Sequence, residues 1–254
     1  IEHRVPGHGF VSGQKVHCRL DWARRHDLMM SHTGEHMLFS ALSRRTEIEL
    51  VKISLTPEKR SLIVKGNIDW DLIREALQEV NGLIFQGLDV KADIISKDCV
   101  DGSRTRIKMD RIHGDSVRVI SIGDYDEAAC AGVHVRNTQE IGLLMITKFT
   151  SAKPVGDWEI EFQVGEEAAR SSIGFAVEML RASEALGANP QDFRTAFENR
   201  GSEHAKAMAT LKQCSKVMLN ALGPKVTKGI NLYSSYFRGI DRKLLMDKAT
   251  ALAA

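Results

Sequence analysis

Length, composition and charge exclude few functions. The chain has 254 residues, of which 43% are hydrophobic and 27% charged, so it is long enough for one large domain or two modest ones. No run approaches the roughly 18 consecutive apolar residues of a membrane span, and the formal net charge of +2 is too small to indicate a DNA-binding protein. We therefore expect a cytoplasmic protein that interacts with neither membranes nor DNA.

The predicted elements up to residue 165 mix strands and helices without regular alternation. Alternating apolar residues over 10–20 indicate strands, and helical spacing over 27–45 indicates a helix with Asp27 as its N-cap. A hairpin over 51–66 and a helix over 69–85 come next. Four more strands are expected at residues 88–96, 116–123, 142–150 and 158–165. This order predicts an α+β fold.

The remaining residues are predicted to be mainly helical. One helix ends at Gly187, and a second begins at Asn189-Pro190 and extends to Leu222, with Gly201 as a possible break. The two form a helical pair, and the apolar residues of the second indicate packing within the chain or, alternatively, a homodimer through this surface. A strand and the start of another helix follow, so we expect the chain to be a fragment of a longer protein.

Two pairs of metal-binding residue types lie far apart in the sequence. His32 and His36 are four residues apart on the predicted helix and therefore share one face, although such a pair alone is more often two partly buried histidines. Cys130 and His134 flank a glycine-containing loop. Nitrogen and sulfur ligands are those that zinc prefers, so the two pairs together predict one Zn²⁺ site.

The spacing of the four cysteines does not indicate disulfide bonds. They are spread widely, without the density of a disulfide scaffold, so reduced thiols are expected. Cys18, Cys99 and Cys214 lie in apolar patterns and are interpreted as core residues.

The sequences around both pairs resemble one known family. HTGEHMLFSAL resembles the HTxxHLLxxAL helix, and CAGVHVRNTQEIG the CGGTHVxNTGEIG loop, of the editing domain of alanyl-tRNA synthetase and of the freestanding AlaX editing proteins. The resemblance covers roughly residues 8–165. Ala131 and Val133 replace a glycine and a threonine of the family loop, so contacts near the metal are expected to differ.

The resemblance implies a domain order. Residues 1–24 would be the remnant of an N-terminal β-barrel segment, and 25–165 a zinc-binding editing domain in which an antiparallel sheet and helices form a sandwich. Residues 166–224 would be a helical linker, and 225–254 would begin a DHHA1-like C-terminal module.

The resemblance also implies an activity. The family hydrolyses the ester that joins serine or glycine to tRNA specific for alanine, because a synthetic site for alanine rejects these amino acids poorly. By the same resemblance Thr33 is expected to sense the serine hydroxyl; alternatively it is an ordinary helix threonine. Whether the zinc activates water or orients the ester stays open, since four protein ligands are typical of a closed site.

Two other functions fit parts of the sequence. His32-Thr33-Gly34-Glu35-His36 also matches the H-x-x-E-H pattern of inverzincin metallopeptidases, with Glu35 as general base, but this would leave Cys130 and His134 without a role. A zinc-stabilised module that binds tRNA without hydrolysis is the other alternative. In either tRNA-related case, basic side chains would contact phosphates, with candidates including Arg24, Arg25, Arg104 and Arg106.

Overall fold

The computed structural model describes residues 4–102, 105–107, 114–153 and 155–253. The chain divides into two compact units, residues 1–174 and 175–254. In chain order the helices and strands are α1 (Trp22–Ser43), β1 (Ile48–Leu55), β2 (Arg60–Gly66), α2 (Trp70–Gln86), β3 (Val90–Ser96), β4 (Ser116–Ile122), β5 (Asp126–Ala129), β6 (Leu144–Ser151), β7 (Asp157–Val164), α3 (Gly165–Leu186), α4 (Phe193–Asn220), β8 (Lys225–Thr227), β9 (Ile230–Leu232) and α5 (Arg242–Ala253).

The first unit is built on two antiparallel sheets. One has the strand order β1-β2-β7-β6, and the other has the order β3-β4-β5. The α+β class expected from the sequence is therefore confirmed. Strand β5 was not predicted, because its sequence Asp-Glu-Ala-Ala contains none of the β-branched or aromatic residues that favour strands.

The core of the first unit lies between the four-stranded sheet and helices α1 and α2. The central strands β2 and β7 turn alternate residues inward, as the two-residue period of a strand requires. Helix α2 buries residues at helical spacing, and α1 buries most of its C-terminal half. The resulting cluster includes Leu62, Val64, Ile160 and Phe162 from the sheet, and Met37, Leu38, Ile73 and Val80 from the helices.

Helix α1 begins earlier than the sequence pattern predicted. Its N-cap is Asp21, whose carboxylate accepts a hydrogen bond from the Arg24 backbone N–H at 3.1 Å. The predicted cap, Asp27, lies inside the helix and is paired instead with Arg60 of β2, at 2.8 Å. Both aspartates are good capping residues, and the helix-favouring Ala-Arg-Arg segment between them extends the helix to the first.

Residues 4–21 form turns and irregular structure and are exposed, whereas strands were predicted over 10–20. An alternating sequence forms a strand only when a neighbouring strand completes its backbone hydrogen bonds. Within the described part of the chain, no strand pairs with this segment.

In the second unit α4 and α5 are joined through a short hairpin, β8-β9. Gly187, with φ of 65°, terminates α3 as predicted, while α4 continues through Gly201 without a break. The buried Ser215 hydroxyl of α4 accepts a hydrogen bond from the Asp241 N–H at 2.9 Å, just before α5 begins. The four predicted domain ranges stay predictions.

None of the described helices combines the length and the apolar character that crossing a membrane would require.

Candidate metal centre

Two separate segments of the first unit bring the four predicted ligands together. Helix α1 carries His32 and His36 one turn apart, and the loop after β5 carries Cys130 and His134. One donor atom from each of these residues lies within 4.8 Å of the other three. The structure thus joins all four residues in one cluster of a size that could hold a single metal ion.

The three imidazoles converge on the cysteine sulfur. Nε2 of His32 and Nε2 of His134 each lie 3.4 Å from Sγ of Cys130. The rings of His32 and His134 are stacked with centroids 4.3 Å apart, and the ring of His36 meets His134 edge-on at 4.7 Å. Four donor atoms of the types that bind metals thus face one point, an arrangement that could hold a single cation.

The surroundings of Cys130 favour its metal-binding form. Burial by itself would raise the pKa of this thiol, but the adjacent imidazoles of His134 and His32 outweigh burial and lower the pKa to about 3. The thiol is therefore a thiolate at neutral pH. Burial also lowers the pKa of His134 to about 4, which keeps this imidazole neutral. Thiolate and neutral imidazole are the forms that coordinate a metal.

His36 differs from the other ligands in its charge. Burial would lower its pKa, but hydrogen bonds with Asp126 and Cys130 raise it to about 9. Metal binding at this imidazole therefore releases a proton.

A carboxylate and an arginine hold the His36 ring. Nδ1 of His36 lies 3.4 Å from Oδ2 of Asp126, which is almost fully buried. Because a carboxylate only accepts hydrogen bonds, Nδ1 carries the hydrogen and Nε2 is left to face the cluster. Arg106 in turn donates two hydrogen bonds to Asp126, at 2.9 and 2.7 Å. Burial alone would raise the pKa of Asp126, but His36 and Arg106 lower it to about 2.

The hydroxyl of Thr33 orients the ring of His134. This hydroxyl donates to the Met29 carbonyl at 3.0 Å, accepts from the Val135 N–H at 3.2 Å, and lies 3.2 Å from Nδ1 of His134. Its hydrogen is used on Met29, so Nδ1 of His134 is the donor and Nε2 is free for a metal. Thr33 is completely buried and does not line the cavity beside the cluster.

An arginine holds the loop that carries Cys130, and a glycine allows this loop to lie close to α1. Arg118 donates to the carbonyl oxygens of Cys130 and Gly132, at 2.8 and 2.7 Å. A Cβ atom on Gly132 would lie 2.0 Å from Cε1 of His32, far inside van der Waals contact. Only glycine therefore allows the loop to approach the first helix this closely.

An open cavity of about 770 Å³ lies against the cluster. Its polar wall includes His32, Glu35, His36 and Cys130, and its apolar wall includes Phe39, Leu50 and Val117. Arg106 and Arg118 also line it. A cavity of this size accommodates a small organic group beside the cluster.

The sequence predicted the four clustered residues but not Asp126, Arg118 and the contact of Gly132. These are recognised only when the segments are placed together in space. The prediction that Cys18, Cys99 and Cys214 are core residues is wrong, since all three are exposed. Of the basic residues named from the sequence, Arg106 lies at the site, Arg24 and Arg25 lie at the start of α1, and Arg104 lies outside the described residues.

Comparison with known proteins links this site to aminoacyl-tRNA enzymes. Residues 117–164 match the family described as the threonyl and alanyl tRNA synthetase second additional domain. An alanyl-tRNA editing protein, AlaX-L, from Pyrococcus horikoshii is 31% identical over 157 residues, which cover 61% of this chain and 38% of that protein.

Two alanine–tRNA ligases are similar over comparable stretches. The one from Fervidobacterium nodosum is 31% identical over 176 residues, 65% of this chain and 20% of the ligase. The one from Haemophilus influenzae is 28% identical over 166 residues, 61% of this chain and 18% of the ligase. The chain thus spans less than two fifths of the length of these relatives. The resemblance predicted from the two histidine-containing motifs is confirmed: over about three fifths of its length the chain is similar to an alanyl-tRNA editing protein and to alanine–tRNA ligases.

Proposed function

We propose that the chain hydrolyses the ester between a wrongly attached amino acid, serine or glycine, and tRNA specific for alanine. The observation that carries this proposal is the convergence of His32, His36, Cys130 and His134 beside an open cavity of about 770 Å³. The similarity to AlaX-L and to alanine–tRNA ligases supports the choice of ester and of tRNA. Activity in translation supports a cytoplasmic location.

Zinc is the metal that best suits these residues. Three imidazoles and one thiolate form a nitrogen and sulfur set, which zinc accepts in tetrahedral sites. When bound, zinc supplies positive charge that polarises an ester carbonyl or makes a nearby water more acidic. Four protein ligands are typical of a closed site, so zinc would activate water only by taking a fifth ligand and would otherwise orient the ester for attack.

The chain's own residues would prepare the site in three ways. Asp126 and Thr33 fix the tautomers of two ligand histidines, so that both present Nε2. Arg118 holds the backbone of the loop that carries Cys130. The apolar side of the cavity excludes water around the ester and strengthens the electrostatic effect of the charges beside it.

We also propose that Thr33 contributes to discrimination between serine and glycine. Since its hydroxyl already has three partners, it would act through the placement of His134 rather than as a free hydrogen-bonding group in the cavity.

The peptidase alternative predicted from H-x-x-E-H is not retained. Such a site needs a further carboxylate ligand, and within the described residues the cluster consists of three histidines and one cysteine. The module that binds tRNA without hydrolysis differs from our proposal in one measurement, since it would retain tRNA binding and show no deacylation.

Hydrolysis of three charged tRNAs tests the proposal. The zinc-loaded protein should release serine and glycine from tRNA specific for alanine and leave alanine attached. Cys130→Ala should retain no zinc and release no amino acid, whereas Cys99→Ala, at an exposed cysteine, should behave as the unaltered protein. Release of alanine at the same rate as serine, or full zinc occupancy in Cys130→Ala, would contradict the proposal.

A homodimer through the C-terminal helices stays a prediction. Phe197, Met208, Val217 and Met218 of α4 are exposed apolar residues that such a dimer would cover. Sedimentation analysis of the protein and of a Phe197→Ser variant measures whether these residues hold two copies together.

A further inference from the structure

Glu35 is a buried acidic residue that is not one of the four clustered donors. It lies on α1 between the two histidines, and its side chain is 1% exposed. Among the described residues, nothing forms a hydrogen bond with its Oε1 atom. A buried carboxylate oxygen without a hydrogen-bond donor is costly, because it has lost its hydration and the charges of His36 and Arg106 offset this loss only in part. Such a group indicates a partner that arrives from solvent.

The position of Glu35 shows where that partner would bind. The residue lines the cavity together with His32 and His36. The two arginines in the described part of the cavity wall already have partners, since Arg106 donates two hydrogen bonds to Asp126 and Arg118 donates to the loop carbonyl oxygens. A cationic group that enters the cavity is therefore the complement of Glu35.

We propose that Glu35 binds the α-ammonium group of the aminoacyl ester. The identity of the ester rests on the proposed function. The ammonium group is the one cation that every aminoacyl ester carries, whatever its side chain, so the contact serves serine and glycine alike. An ester whose amine is acylated, as in peptidyl-tRNA, has no such cation and is rejected at this point. Glu35 thus restricts the site to single amino acids with a free amine.

Kinetics with two esters test this role. Seryl-tRNA and N-acetylseryl-tRNA differ only in the charge of the amine, so the ratio of their kcat/KM values measures recognition of the ammonium group. In Glu35→Gln, kcat/KM for seryl-tRNA should fall roughly 10- to 100-fold, the range for a hydrogen bond to a charged group, while kcat/KM for N-acetylseryl-tRNA is unchanged. Glu58→Gln makes the same change in charge at an exposed residue between β1 and β2, outside the cavity, and should leave both values unchanged.

The zinc content of each variant separates recognition from loss of the site. Glu35→Gln should retain the zinc of the unaltered protein. An equal loss of activity toward both esters, or a loss of zinc, would overturn the proposal, because Glu35 would then act on the chemistry or on the cluster.

A binding measurement keeps the proposal testable apart from hydrolysis. By calorimetry, the zinc-loaded protein should bind serinamide, which carries the ammonium group, at least 10-fold more tightly than N-acetylserinamide, and Glu35→Gln should lose this preference. Equal binding of the two amides by the unaltered protein would overturn the role of Glu35 whether or not Glu35→Gln folds. Failure to hydrolyse seryl-tRNA while serinamide is still preferred would instead contradict the proposed function alone.

Discussion

A methyl group added to Gly132 should disrupt the metal centre. In Gly132→Ala the new Cβ would lie 2.0 Å from Cε1 and 2.3 Å from Nδ1 of His32. Ordinary contact begins at 3.4 Å, so the ring or the loop must move by about 1.4 Å. Zinc–nitrogen distances are about 2.0–2.1 Å and tolerate deviations of only about 0.2 Å. Movement of the ring removes His32 as a ligand, and movement of the loop displaces Cys130.

The expected loss of zinc affinity is large and specific. Substitution of a residue that merely orients a ligand costs about 10- to 100-fold in affinity, and displacement of a ligand should cost at least about 100-fold, or ~2.7 kcal/mol. Competition with a chromophoric chelator measures this constant. Gly82→Ala on α2, where an added Cβ meets nothing within 4 Å, is the matched control and should bind zinc as the unaltered protein does. Unchanged zinc affinity in Gly132→Ala would refute the assignment of His32 as a ligand at this loop.

Three further substitutions test the surroundings of the site and the fold. Thr33→Val should weaken zinc binding about 10- to 100-fold, because His134 loses the hydroxyl that orients it. At saturating zinc this variant should slow release of serine more than release of glycine, and equal slowing of both would contradict the role in discrimination. Thr33→Ser keeps the hydroxyl and serves as the control. Asp126→Asn should weaken zinc binding by a similar factor in the chelator assay, whereas Asp124→Asn, at an exposed position in the preceding turn, should not. Asp27→Ala should lower the free energy of unfolding in urea by about 2 kcal/mol, because the buried guanidinium of Arg60 loses two charged hydrogen bonds; a change below about 0.5 kcal/mol would show that this ion pair contributes little.

The sequence was most informative where the interactions are local. The four-residue spacing of His32 and His36 on a helix, and the apolar period of α2, depend on neighbours within a turn or two and were predicted. The N-cap of α1 was predicted at the wrong residue, because Asp21 and Asp27 are chemically equivalent candidates. Only the pairing of Asp27 with Arg60 across the fold distinguishes them.

The features that complete the site depend on segments distant in sequence. Asp126 stands in a short strand with no motif around it, and its contact with His36 exists only after β5 packs near α1. The closeness of Gly132 to His32 and the lack of a hydrogen-bond partner for Oε1 of Glu35 among the described residues likewise depend on packing. Family resemblance indicated the ligands and the reaction, but it contained no information on which neighbours orient them.

X-ray absorption at the zinc edge tests the central claim most directly. If His32, His36, Cys130 and His134 hold one zinc ion, the spectrum of the zinc-loaded protein should require one sulfur at about 2.3 Å and three nitrogens at about 2.0–2.1 Å. In Cys130→Ala the sulfur contribution should disappear together with stoichiometric zinc. A first shell of nitrogen and oxygen atoms without sulfur in the unaltered protein would contradict this account.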